Sequence, residues 1–405
     1  MPKPDFVSRE WSRRAWLQAA LSGGTAIATA GWLPAAFAQE AAANKKGLIV
    51  LSQEPFNAEP ALDKLVAQHL TPLEHFYVRN HGPIPDLKTS TGTLSIEGLV
   101  EKPGKLSLAQ IKERFEVAEA EATLTCAGNR RREFNTEFPD RKVGGVQWEA
   151  GAIGNARWRG AWLADVLQAA GVKPEARHVW FEGADPIKEK DGSEAPFGGS
   201  IPIEKAMRKA DGNSNGALLA WQMNGQPLSA EHGAPLRTVV PGFIGARSIK
   251  WLKRIVVSDR PSPNHYVAEA YKIVQSDSHE EAHGKEPIYP FVINAAFCLP
   301  AAGKEAKAGM VRLAGYALPT GDSGARIEKI EIRQGDQVLA EARFEESRPD
   351  CWTLWQAEVK LAPGKPTLAV VATDSAGKTQ PQRPEWNFKG YNFNGWHKVG
   401  IKVSG

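Results

Sequence analysis

From about Phe76 to Pro287 the chain alternates short β-branched or apolar runs with stretches of helical spacing. Leu94–Val100, Glu121–Thr125, Val179–Glu182, Arg237–Val240 and Ile255–Val257 read as strands, while Leu108–Phe115 and Leu163–Ala170 read as helices, with Gly171 as the C-terminal cap of the second. That mixture predicts an α+β domain. Beyond Pro287 the helical spacing vanishes, and period-2 runs at Met310–Ala314, Ile327–Arg333, Gln337–Arg343, Trp352–Val359 and Thr367–Thr373 are separated by Gly, Pro and Asp. Regular strands without helices predict a β-sandwich of immunoglobulin-like size, with Trp386-Asn387 and Asn394–His397 returning as a strand that packs on it. Residues 39–70 are polar and interrupted by Pro55 and Pro60, so an irregular lead-in is expected there, with one short helix around Ala61–His69 and the first regular core near Phe76.

The first 38 residues have a different character. Ser12-Arg13-Arg14-Ala15-Trp16-Leu17 sets two arginines before an apolar, Ala-rich run ending near Leu33, and Ala36-Phe37-Ala38 offers a small-residue cleavage site. This is the pattern of a twin-arginine export signal, and it predicts a periplasmic protein. An uncleaved anchor is the alternative, but the run is short and broken by Ser22, Gly23, Gly24, Thr25 and Pro34. The expected organisation is therefore a leader at 1–38, a first domain at 39–286 and a second at 287–405, with no membrane span in the mature chain. With 42% hydrophobic and 24% charged residues over 405 positions, disordered, collagenous and multi-span membrane classes are excluded. A net charge of +4 without a Lys/Arg block gives no reason to invoke nucleic acid and suits a small anion.

Three cysteines occur, Cys126, Cys298 and Cys351, in no C-x-x-C-H or C-x-x-C pattern, so neither covalent haem nor structural zinc is expected. An odd count leaves at least one thiol unpaired. Cys298 and Cys351 could form a disulphide or stay two unrelated buried thiols, the simpler account. Cys126 ends a strand candidate and leads into Ala127-Gly128-Asn129-Arg130-Arg131. Positive charge and turn amides stabilise a thiolate, and a thiolate is the soft ligand that a sulphur-coordinated metal accepts; a buried structural cysteine beside surface arginines is the plainer explanation. Phe76–Pro83, if extended, sends Arg79 and His81 to one face, which suits an oxyanion or phosphate but also an ordinary solvated face. A third stretch, His232–Arg237 through Pro241–Trp251, mixes glycine turns with cationic side chains and lacks Walker or Rossmann spacing.

Together these segments resemble the sulphite oxidase family. The resemblance covers about residues 50–405 and includes Phe56–Pro60, Ala156-Arg157-Trp158, Phe181-Glu182-Gly183 and Met223–Leu228. It implies a sulphite oxidase-type molybdopterin domain followed by an immunoglobulin-like dimerisation domain. The implied cofactor is a molybdenum–pyranopterin dithiolene, with Cys126 as the protein's ligand to the metal. Tyr77, Val78, Arg79, Asn80 and His81 would line the pocket, and Asp185, His232, Arg237, Ser248, Ile249 and Lys250 would contact the pterin and its phosphate. The substrate anion pocket maps onto Arg79, Arg131 and Trp148, with Arg348 completing it.

The activity implied is oxo transfer to sulphite, giving sulphate. With no haem motif in the chain, electrons would pass to a separate acceptor, a small c-type cytochrome, and the assembly would be a homodimer. One departure is visible: where the family usually carries tyrosine, Trp221 precedes Gln222-Met223-Asn224. An indole donates a hydrogen bond but accepts none, so Tyr266 or Tyr271 would have to fill the phenol's place. The alternatives are a sulphane dehydrogenase or another reductase of the superfamily, and, from a different class, a cofactor-free periplasmic binding module.

Overall fold

The computed structural model describes residues 47–87, 92–188, 192–211, 215–276, 279–282, 284–300 and 304–405. The expected leader lies outside them. No helix among the described residues is long and apolar enough to cross a membrane.

The N-terminal half is built on two five-stranded sheets. In the first, Ala118–Thr125 pairs antiparallel with Ile153–Trp162, which pairs with Leu218–Met223, and the last strand also carries Gln226–Pro227 and Arg237–Val239. One face of this sheet buries Ala120, Ala122, Leu124, Ala156, Trp158, Leu218 and Ala220 against Phe76, Tyr77 and Trp148. The second sheet runs Gly104–Leu106, Leu94–Gly98, Arg254–Ser258, His178–Lys188, Glu194–Pro202. Only its Leu94–Gly98 and Arg254–Ser258 pair is parallel.

Both expected long helices form. Leu108–Arg114 starts with a capping box in which the Ser107 side chain accepts from Gln110 N and the Gln110 side chain accepts from Ser107 N. Leu163–Ala170 ends at Gly171 with φ 72°, the left-handed cap that glycine adopts without steric penalty.

The C-terminal half is a sandwich of two four-stranded sheets. Asn294–Leu299, Gly309–Leu318, Thr353–Leu361 and Arg343–Phe344 make one, and Gln337–Glu341, Ile327–Gln334, Thr367–Asp374 and His397–Gly400 the other. Their inner faces enclose Leu313, Ile330, Ile332, Trp355, Leu368 and Val370. The run expected as one strand, Gln337–Arg343, is split at Ala342, whose N–H donates to Ile330 O while the chain crosses from one sheet to the other.

Three expectations are corrected. The lead-in is not irregular: Leu48–Ser52 and Asn57–Pro60 form an antiparallel hairpin, and Leu48 and Ala58 pack on Val78, so the core starts well before Phe76. All four residues of its second strand are buried, Asn57 and Glu59 included, so burial does not follow the polar/apolar alternation of Asn57-Ala58-Glu59-Pro60. The helix at 61–69 shrinks to Leu62–Leu65, since His69 turns its side chain to Glu121 and its carbonyl to Trp352 Nε1. Trp386–Trp396 is a loop, the strand that returns to the sandwich starting only at His397, and the loop touches the N-terminal half: Asn392 N donates to Ala127 O at 2.6 Å.

All three cysteines remain thiols, and each is buried. Burial pushes the Cys298 and Cys351 thiols well above the usual thiol range.

Candidate active site

Strand Ala118–Thr125 delivers Cys126 to the floor of a cavity between the two sheets. Cys126 N donates to Ala152 O at 2.9 Å, Asn129 N closes a turn onto Cys126 O at 2.9 Å, and Gly128 N approaches Cys126 Sγ at 3.4 Å. The Arg131 guanidinium packs directly over Gly128, where a Cβ would lie 2.6 Å from the guanidinium carbon and displace it. The thiol is 8% exposed. It is therefore held by backbone bonds and open only to the cavity.

Cationic and donor groups surround it. Arg79, Asn80, His81, His232, Arg237, Ser248 and Lys250 all line the cavity, with Tyr77 and Asp185. Arg79 is steered by Asn57 Oδ1 at 3.2 Å, and the same oxygen accepts from Asn80 N at 2.9 Å, so the N-terminal hairpin fixes this edge. Lys250 Nζ donates to Glu231 O at 2.9 Å and to Asn80 Oδ1. Burial, with Arg237 close by, draws its ammonium well below the usual lysine range. Arg237 donates to the carbonyls of His232, Ser248 and Thr238 and lies over the Trp158 ring. Burial lowers it to about 10, which still leaves it charged.

Two histidines are kept neutral. His81 is stacked on Phe197 at 4.3 Å, and its Nε2 shares a 2.8 Å hydrogen bond with Tyr271 Oη. Burial, then the charges of Arg79 and Lys250, hold it well below the ordinary imidazole range. His232 meets Leu73 O through Nε2 at 3.3 Å, and burial brings it down to about 4. Tyr271 lines the cavity and, being buried, is held well above the usual phenol range, so it stays protonated and can donate.

Of the remaining expected residues, Val78 points away from the cavity, into the hairpin cluster with Leu48 and Ala58. Ile249 is buried behind it, with its N–H on Thr238 Oγ1 at 2.6 Å. Arg131 and Trp148 stand one layer back: Trp148 packs edge-on against Tyr77, and Arg131 is bonded to the carbonyls of Val146, Lys389 and Gly390.

Two assignments are corrected. Trp221 sits at the bulge where Leu218–Met223 shifts register against Ile153–Trp162, its ring lies under Lys112 Nζ at 5.6 Å, and it is absent from the cavity wall. The bulge carries the indole towards helix Leu108–Arg114, and the phenol that reaches the cavity wall is that of Tyr271. Arg348 has its side chain 56% exposed and faces Glu121 at 3.6 Å, five positions before Cys126 on an extended strand. It is absent from the cavity wall.

Sequence reasoning also missed the supports. Glu59, 2% exposed, accepts N–H bonds from Glu149 at 3.0 Å and Gly151 at 3.1 Å and so pins the turn beside Trp148. Nothing in its local sequence marks a buried carboxylate.

The geometry fits a bulky anionic group beside a thiol. Asp185 Oδ1 is buried with no hydrogen-bond partner among the described residues, and burial raises its carboxyl to about 6. An unpaired acceptor at a cavity wall awaits an N–H donor, as a pterin ring would supply. Gly245 keeps the wall open, since a Cβ would come within 2.8 Å of Tyr77 Oη.

Comparison with known proteins identifies the group. A family model described as "Oxidoreductase molybdopterin binding domain" matches residues 81–266, and one described as "Mo-co oxidoreductase dimerisation domain" matches residues 285–404. The chain is 36% identical over 383 residues to a sulfite oxidase of Arabidopsis thaliana, covering 88% of this chain and 94% of that protein. It belongs to the sulphite oxidase family.

Another family relative, the sulfite oxidase of Gallus gallus, is 37% identical over 368 residues, covering 87% of this chain and 77% of that one. The chain spans 62% of the mitochondrial sulfite oxidase of Drosophila melanogaster, at 37% identity over 87% of its own length. The sulfane dehydrogenase SoxCD from Paracoccus pantotrophus shares the fold, with a TM-score of 0.73 at 22% identity, covering 99% of this chain and 97% of that chain. The protein is a molybdopterin oxidoreductase of the sulphite oxidase family, and Cys126 is the thiol among the residues lining its cavity.

Proposed function

We propose that the protein oxidises sulphite to sulphate in the periplasm, as a homodimer exported by the twin-arginine route, and passes electrons to a separate acceptor, a small c-type cytochrome. The observation that carries the reading is the cavity itself, where one thiol lies among Arg79, Arg237 and Lys250, with neutral His81 and protonated Tyr271 as further donors. The sulfite oxidases named above support the choice of substrate.

When bound, the molybdenum–pterin supplies oxo transfer and takes up the two electrons released as sulphite and water become sulphate and two protons. Cys126 would hold the metal. Arg237, Ser248, His232, Asp185 and Lys250 would hold the pterin and its phosphate. The chain's own groups then bind and orient the oxyanion: Arg79 faces it with a guanidinium, whose planar donors match oxyanion geometry. Charged donors in a cavity shielded from bulk water are worth more than in solution. A neutral imidazole hydrogen-bonded to a phenol can relay a proton without adding charge, so the pair His81 and Tyr271 is the exit for the protons released.

The test is a sulphite–ferricyanide assay with molybdenum analysis on periplasmic and cytoplasmic fractions, for the wild-type chain and Cys126→Ser. Activity and about one molybdenum per chain should appear in the periplasmic fraction. Cys126→Ser should keep its circular dichroism spectrum and melting temperature and lose sulphite oxidation. Failure of sulphite to reduce the wild-type protein while a sulphane carrier or nitrate turned over would refute the substrate, and undiminished activity of Cys126→Ser would refute the ligand.

A further inference from the structure

The loop Trp386–Trp396 carries an aromatic side chain that touches at once the cavity-lining Tyr271 and Arg131 behind it. Tyr391, 8% exposed, stacks on Tyr271 with ring centroids 5.0 Å apart and planes at 20°. The Arg131 guanidinium carbon lies 5.2 Å from the Tyr391 ring centroid. The Tyr391 phenol also takes a backbone hydrogen bond from Tyr271. Tyr271 has a φ of 53°, a conformation that costs a non-glycine residue energy and persists only when the surroundings hold it.

The loop is itself fixed. Asn387 brackets Tyr391, accepting from its N–H at 2.8 Å and donating to its carbonyl at 2.9 Å. Gly390, at φ 59°, is wedged so closely that a Cβ would meet Val143 Cγ1 at 2.5 Å and Arg131 Cγ at 3.0 Å. On the far side Asn392 N holds Ala127 O, one residue after Cys126. A rigid platform from the C-terminal half thus carries the Tyr391 ring.

Arg131 makes no ion pair among the described residues; its contacts are three carbonyls and the aromatic face. Its charge is therefore aimed rather than neutralised, and a cation over a ring is held without loss of that charge.

We propose that Tyr391 is a positioning residue that sets the spacing between the Arg131 charge and the Tyr271–His81 pair, and so tunes affinity for the oxyanion in the cavity. The inference rests on the sulphite reading above.

The experiment uses purified, molybdenum-loaded wild type, Tyr391→Phe and Tyr391→Leu. Steady-state kinetics with sulphite and calorimetric binding of sulphate to the oxidised protein are both read. Tyr391→Leu should raise KM for sulphite about tenfold or more, with a smaller change in kcat, and weaken sulphate binding in parallel. Tyr391→Phe keeps the ring and should recover most of both. Wild-type KM and sulphate affinity in Tyr391→Leu would overturn the proposal, as would an equal loss in Tyr391→Phe. If Tyr391→Leu fails to load molybdenum, Tyr391→Met replaces it, and failure of both to fold would overturn the proposal in favour of a structural role. A wild-type protein inert towards sulphite would instead defeat the substrate reading, before any variant is compared.

Discussion

Glu59 shows how a single side chain can carry a pH dependence. Its carboxyl is buried beneath the turn that bears Trp148, and burial raises it from 4.5 to about 7 despite two N–H bonds. Between those values the folded chain retains a proton that the unfolded chain has released, so this group's contribution is full below pH 4.5 and is lost as pH rises through about 7. The expected loss is on the order of 3 kcal/mol. Glu59→Gln should abolish that component, gaining on the wild type between pH 5 and pH 8 in urea denaturation. A parallel pH dependence in both proteins would contradict the assignment. Residue by residue, the sequence was legible where chemistry is concentrated: Cys126, Arg79, His81, Arg237 and Lys250 all reach the cavity. It misled where a role depends on a strand bulge or the path of a loop, as at Trp221 and Arg348. Tyr271 takes its place through a positive φ that no local pattern announces.

At the scale of elements, the first sheet of the catalytic half depends on close backbone approach. Gly160 sits at a register shift where Ile153–Trp162 meets Leu218–Met223, and a Cβ there would lie 2.1 Å from Leu219 O. Because the obstacle is backbone, relief requires the strands to part. Gly160→Ala should therefore destabilise the protein by about 3 kcal/mol, seen as a lowered denaturation midpoint with unchanged m; a neutral effect would show that the strands can separate freely. Strong periodicity predicted both long helices and most sandwich strands. The helix Arg131–Glu137 escaped because Arg-Arg-Glu-Phe-Asn-Thr-Glu has no apolar stripe; it starts from Arg130 in a left-handed conformation secured by Glu133 and by Asn294 of the sandwich. Tertiary partners, not propensity, make that helix.

For the whole molecule, the two halves are joined at the very loop that bears the thiol. Arg130 is fully buried, paired with Glu133 at 2.7 Å and bonded to Asn294 Oδ1 and Ala295 O, under the Phe393 ring. Asn129 donates to Tyr316 Oη, which in turn donates to Ala150 O, both at 3.0 Å. A chain ending at residue 286 would leave those buried groups without partners, at about 1–3 kcal/mol each and more for the charge. Such a chain should fail to yield soluble, molybdenum-loaded protein, as judged by expression and metal analysis. Recovery of a loaded, monodisperse catalytic half would show that the contacts are dispensable. The expected change from an α+β to an all-β pattern was visible in the sequence, but the bonds across it were not, since they link residues far apart in the chain.

The unbridged state of Cys298 and Cys351 has a consequence for biogenesis. A tertiary structure that closes no sulphur–sulphur bond has no step waiting on an oxidant. Maturation, including capture of the prosthetic group, can then finish in a thiol-rich compartment.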